Sequence, residues 1–257
     1  MPPEGQERDM MRLATLIASF AAAAAAVLWS ADVVRKPLGP SPVVVELFTS
    51  QGCSSCPPAD ELIRKIAADE SLRGRVIPLA YHVDYWDHLG WRDAFSSAEW
   101  SQRQIIYTRA LHLDSPYTPQ VVVNGSRQFV GSNAAALNAS VEEASRQKPV
   151  GSLALDVRRE GEKIEAVIRA DAPSSSDVVV VLFQNDVATR IERGENEGRT
   201  ASETAIVRRL LRAGTGSVSK SVTIDIDPAW KHLGIAAFVQ DRATLAITNA
   251  TVHDLSD

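Results

Sequence analysis

The 257-residue sequence predicts an α/β domain of order βαβαββα over residues 43–148, followed by an all-β, sandwich-like domain over residues 151–257. Three observations carry this expectation. Short apolar runs pass directly into helical periodicity in the first half, as strand–helix units require. An Asn124-Gly125 pair sits between two β-rich runs, the strongest short-range hairpin signal. After Lys148-Pro149-Val150-Gly151 the apolar period changes to two. Hydrophobic residues make up 45% and charged residues 23%, enough to build a core. The net charge of -5, with lysine and arginine scattered, gives no footprint for nucleic acid and excludes it as a partner.

Residues 1–31 contain the apolar stretch LATLIASFAAAAAAVLW, residues 13–29, preceded by Arg12. Two readings stand: a signal peptide cleaved after the small residues Ala24-Ala25-Ala26, or an uncleaved inner-membrane anchor. The acidic Glu4, Glu7 and Asp9 suit neither n-region, which suggests that translation begins at Met10 or Met11. Either reading exports the remainder to the periplasm or beyond. Residues 32–42, with Pro37, Gly39, Pro40 and Pro42, read as a linker.

VVVELF at 43–48 reads as a strand buried on both faces, with Glu46 as its one charge. PPADELIRKIAAD at 57–69 follows as a helix whose first turn tolerates the two prolines. RVIPLAYHVDYW (75–86) is a second strand, 97–113 a second helix, 120–131 the Asn-Gly hairpin, and 132–147 an alanine-rich helix capped by Ser132 or Asn133. Beyond the boundary, VVVVLF (178–183) and GIAAFV (234–239) read as core strands, ERGENEGRTASE (192–203) as a long polar loop, and AIVRRLLR (205–212) as helix or strand.

The chain has two cysteines, Cys53 and Cys56, two residues apart at the strand-to-helix junction. A helix N-terminus presents unpaired amides and a partial positive charge, so a thiolate there is stabilised and its pKa falls. Cys53 is the expected nucleophile and Cys56 the resolving thiol. A structural staple is a poor use of such a short loop, because it restrains little of the unfolded chain. A metal clamp is the other alternative: Cys53, Cys56 and His82 would suit copper(I), making the protein a non-catalytic binding protein similar to copper chaperones. His82 reads equally as a hydrogen-bonded core residue. For Glu46 there are also two readings, a buried proton acceptor for Cys56 or a carboxylate paired within the core. Trp86, Trp91 and Trp100 read as core or rim packing, with a peptide-binding wall as the other use.

Residues 43–147 resemble a thioredoxin-like domain. The whole chain resembles a family of uncharacterised bacterial secreted proteins in which ELFTSQGCSSCPPAD, YHVDYWDHLGW, YTPQVVVNG and RGENEGR recur. The resemblance implies a thiol-disulfide oxidoreductase whose partners are exported thiol or disulfide proteins, or small thiols. It implies no cofactor beyond the Cys53–Cys56 disulfide. It also implies that Pro119 is cis and that the backbone of Thr118 pairs an extended substrate. Glu46 stands seven residues before Cys53, one further than the thioredoxin pattern, and Ser54-Ser55 leaves the direction of electron flow open.

Overall fold

The computed structural model describes residues 41–255. The predicted signal or anchor at 1–31 and the linker up to residue 40 lie outside the described residues. Among the described residues, no helix is long and apolar enough to cross a membrane.

The first half runs β1 (Val43–Thr49), α1 (Pro57–Ala68), β2 (Val76–His82), a 3-10 turn (Asp87–Leu89), α2 (Ala98–Ala110), β3 (Gln120–Val123), β4 (Arg127–Val130) and α3 (Ala134–Ser145). Each helix begins where its sequence allows. Ser97 Oγ accepts from the Glu99 amide at 3.1 Å and Asn133 Oδ1 from the Ala136 amide at 3.0 Å, the side-chain caps that such residues favour. The second half is built of strands: β5 (Ser152–Glu160), β6 (Lys163–Asp171), β7 (Ser176–Gln184), β8 (Val187–Arg190), β9 (Thr200–Glu203), β10 (Ile206–Thr215), β11 (Val218–Asp225), β12 (Leu233–Asp241) and β13 (Ile247–Asp254).

The predicted fold class, a thioredoxin-like α/β domain followed by a separate sandwich, is overturned. Eight strands from both sides of residues 148–151 form one mixed sheet in the order β13-β12-β7-β10-β2-β1-β3-β4. The join is β10, which runs antiparallel to β7 and meets β2 in parallel at Ile206 and Ala80, where the Ala80 amide donates to the Ala205 carbonyl at 2.7 Å. Without it β2 would leave a row of backbone donors and acceptors unpaired at an edge. The chain is therefore mostly β, with three helices among the described residues.

Side-chain alternation explains why the periodicity misled. Val179, Val181 and Phe183 of β7 and Ala236 and Phe238 of β12 share a core with Val43, Leu47, Ile63, Trp100 and Tyr107 of the first half. Val178, Val180 and Leu182, with Ile235, Ala237 and Val239, face the other way, onto the three-stranded sheet β11-β6-β5. Apolar on every residue, these strands divide their two faces between two cores. A continuous apolar run does not reveal what covers each face.

The predicted hairpin is present as β3–β4, with Asn124 and Gly125 at φ 43° and 66°. A Cβ on Gly125 would lie 1.9 Å from the Leu245 carbonyl oxygen, so this turn needs glycine for close approach as well as for its backbone angle. The predicted loop at 192–203 and the segment before it form a small two-stranded ribbon, β8–β9, outside both larger sheets.

Candidate functional site

Strand β1 ends at Thr49, and Ser50-Gln51-Gly52 carry the chain to Cys53. Gly52 sits close against Trp86, where a Cβ would stand a tight 3.2 Å from Trp86 Cβ. Cys56 is the N-cap of α1 in a helical conformation, and its carbonyl accepts from the amides of Ala59 and Asp60 at 2.8 and 3.1 Å. Cys53 and Cys56 form a disulfide across a Cα separation of 5.4 Å. Both are fully buried, while Ser54 and Ser55 between them are exposed.

Polar groups surround the Cys53 sulfur. Thr118 Oγ1 donates to it at 3.3 Å and Ser55 Oγ lies 3.3 Å away. Trp86 Nε1 fixes the Thr118 hydroxyl at 2.8 Å, and the Thr118 carbonyl accepts from Ser55 Oγ at 3.4 Å. The Thr118–Pro119 peptide is cis. Cys53, Cys56, Thr118 and Pro119, far apart in sequence, thus meet at one end of the sheet.

The β8–β9 ribbon covers this end. From its tip, Asn196 Nδ2 donates to the carbonyls of Gln51 and Cys53, both at 2.9 Å, and Glu195 accepts from the Ser54 amide at 3.2 Å. Gly194 lies against Trp91, where a Cβ would approach the Trp91 Cβ to 3.1 Å. At the base of the ribbon, Gln51 Nε2 donates to both oxygens of Glu203 at 2.9 Å, and Gln51 Oε1 accepts from Trp91 Nε1 at 2.8 Å. The ribbon leaves and rejoins the sheet through Asp186 and Ala205, which have left-handed φ values of 57° and 56°. The recurring RGENEGR segment is the tip of an arm bonded to the backbone of the cysteine loop.

A buried ionisable cluster lies behind the loop. His82 Nδ1 contacts Asp93 Oδ2 at 2.7 Å and stands 4.0 Å from Glu203. Burial works against charge on His82, but Asp93, Glu203 and Asp60 outweigh it and raise its pKa to about 9. Burial also raises the Asp93 carboxyl, yet the charge and hydrogen bond of His82 leave it below its usual value. Burial dominates at Glu203, which is raised. Asp60, in the first turn of α1, accepts from Thr49 Oγ1 at 2.7 Å, and burial lifts its pKa to about 7. Asp60 and Glu203 line a cavity of about 620 Å³ together with Gln51, Pro57, Asn196 and Arg199.

His82 is turned into this cluster, and among the described residues no group of three or more His, Cys, Asp and Glu side chains is arranged to hold a metal ion. Glu46 is fully buried in a different network. Arg103 Nε donates to Glu46 Oε1 at 2.7 Å, the Tyr107 hydroxyl donates to Oε2, and Gln240 Nε2 of β12 donates to the Tyr107 oxygen at 2.8 Å. The Arg103 guanidinium also lies 5.1 Å from the Tyr107 ring centre and 5.7 Å from that of Phe238. These contacts favour the paired-core reading of Glu46. Trp100 packs edge-on against Tyr81 in the core, whereas Trp86 and Trp91 brace the site loops.

Sequence reasoning missed Gln51, Asp60, Asp93, Asn196 and Glu203. Gln51 and Asp60 lie inside ELFTSQGCSSCPPAD and Asn196 inside RGENEGR, so the recurring motifs marked those three without assigning them a contact.

None of the curated proteins matches the chain. A crystal structure of a protein from Agrobacterium tumefaciens is 30% identical and covers 84% of this chain and 97% of its own, with a TM-score of 0.64. HBP35 of Porphyromonas gingivalis covers 84% of this chain and 76% of its own with a TM-score of 0.63. Its 18% identity makes that likeness one of fold. The model of the family described as "Protein of unknown function (DUF1223)" matches residues 44–240, spanning the cysteine pair, the cis-proline segment and the arm, and the protein belongs to that family.

Proposed function

We propose that the protein is an exported thiol-disulfide oxidoreductase that uses the Cys53–Cys56 pair on thiol or disulfide partners. The observation that carries this reading is the disulfide at the start of α1 with Thr118 Oγ1 on the Cys53 sulfur, because a hydroxyl donor stabilises a thiolate there just as the helix N-terminus does. The apolar stretch at 13–29 and the oxidised pair both suit an exporting route. In one direction Cys53 thiolate attacks a substrate disulfide, forming a Cys53–substrate bond and releasing one substrate thiolate. Cys56 then attacks Cys53, which releases the second thiolate and reforms the pair. The reverse sequence oxidises a substrate dithiol. Cys53 is buried and Asn196 of the arm holds its carbonyl, so a protein substrate gains access when the cysteine loop and the arm move apart.

Removing the resolving thiol strands the covalent intermediate, so Cys56→Ser should accumulate mixed disulfides that dithiothreitol cleaves, and Cys53→Ser should not. Failure of Cys56→Ser to trap either exported proteins or a model disulfide peptide would overturn the proposal and leave the pair as a structural clasp.

A further inference from the structure

Resolution needs a group to take the Cys56 thiol proton, and Glu46 has both carboxylate oxygens engaged by Arg103 and Tyr107. Asp60 is placed for that task. It lies four residues after Cys56 in the same helix, with its amide bonded to the Cys56 carbonyl at 3.1 Å, so the two side chains share one face. Helical side chains lean toward the N-terminus, which brings the Asp60 carboxyl back over the turn that carries Cys56. The carboxyl is held by Thr49 Oγ1 at 2.7 Å and forms part of the wall of the cavity described above.

We infer that Asp60 accepts the Cys56 thiol proton during resolution and passes it to solvent through the cavity it lines. This inference rests on the oxidoreductase reading of the cysteine pair. With Cys53 joined to a substrate sulfur, the Asp60 carboxylate takes the Cys56 proton. The Cys56 thiolate attacks Cys53 Sγ, the Cys53–Cys56 bond forms, and the bond to the substrate sulfur breaks. The electron pair leaves on the substrate as a thiolate, so the cysteine pair is oxidised as the substrate is reduced.

The groups facing Asp60 set its response to pH. Thr49 of β1 stabilises the carboxylate by hydrogen bonding, His82 of β2 attracts it, and Glu203 of β9 and Asp93 of the site loop repel it. Glu61 and Arg64 of α1 and Arg199 of the arm also line the cavity, and Glu61 and Arg64 pair with each other at 2.7 Å. Burial outweighs the favourable contacts, and the carboxyl titrates near the pH at which the enzyme must both accept and release a proton.

The test uses the reduced protein and 5,5′-dithiobis(2-nitrobenzoate), following release of thionitrobenzoate against pH. The first release reports attack by Cys53 and the second reports resolution by Cys56. In the wild type the second phase should rise with pH and level above about pH 7, the value to which Asp60 is raised. Asp60→Asn retains an acceptor for Thr49. It should leave the first phase unchanged and slow the second by about 30-fold at pH 7, the deficit in thiolate of a thiol with pKa about 8.5. Its rate should keep rising until it converges with the wild type near pH 9. Thr49→Val removes a hydrogen bond that lowers the Asp60 pKa and should move the wild-type inflection to higher pH. A second phase with unaltered rate and pH profile in both variants overturns the role of Asp60 alone. Absence of a second phase in the wild type overturns the oxidoreductase reading itself.

Discussion

Substituting Asn196 by alanine tests whether the arm controls access to the disulfide. The side chain donates two hydrogen bonds at 2.9 Å, to the carbonyls of Gln51 and Cys53, and it is buried. A typical intramolecular hydrogen bond contributes about 1 kcal/mol net, so loss of both weakens arm closure by about 2 kcal/mol. At about 1.4 kcal/mol per tenfold, the open-to-closed ratio rises about 30-fold. When opening and closing are fast, attack on a protected group follows the population of the open form, so reduction of the pair by dithiothreitol should accelerate by a similar factor. The assay is the rate of reduction in native buffer, read by mass-tagging the freed thiols, with Glu195→Gln as a control that retains an acceptor for the Ser54 amide at 3.2 Å. Equal rates in Asn196→Ala and wild type, with folding intact, would refute the view that the arm gates the site.

Further predictions concern the buried charges. Arg103→Leu strips the buried Glu46 of its cation, which should cost about 3–5 kcal/mol and lower the thermal midpoint by about 10 °C; a Glu46→Leu, Arg103→Leu double variant should recover much of it. Asp60, raised from 3.8 to about 7, contributes stability that is full below pH 3.8 and is lost as pH rises through about 7. His82, raised from 6.5 to about 9, contributes stability that is full below pH 6.5 and is lost as pH rises through about 9. The depressed Asp93 acts oppositely, its contribution being lost as pH falls below its usual range. Thermal melts of the oxidised protein should therefore show a midpoint that declines steadily between about pH 5 and pH 9, with the upper limb flattened in His82→Gln. A level profile across that range would show that the cluster is not held as described.

How much was legible depended on the distance over which a signal acts. Asn124-Gly125, the cap at Asn133 and the two-proline start of α1 are local devices, and each element stands where its residues placed it. The Thr118–Pro119 segment lies beside the cysteines because strand β3 pairs directly with β1. The join of the two halves was not legible. It depends on one residue pair, Ile206 with Ala80, and on β7 and β12 turning alternate residues to different cores. The arm was missed for a related reason. Its strands, Val187–Arg190 and Thr200–Glu203, are four residues each, too short for periodicity to register, and its tip is polar because it binds backbone amides and carbonyls. Asp93 and Glu203 are acids whose role arises from a histidine in another strand, which spacing along the chain does not reveal.

The hydrogen bond from Asn196 to Cys53 spans 143 residues, and this separation imposes an order in time. A growing chain presents its thiols long before the segment that will shield them has been made. During that interval the pair is open to any oxidant it meets, and its chemistry is that of an exposed peptide. Completion of the arm then pins the carbonyls of Gln51 and Cys53. A reagent that meets the chain before the arm is made therefore finds a different surface from one that meets the finished fold.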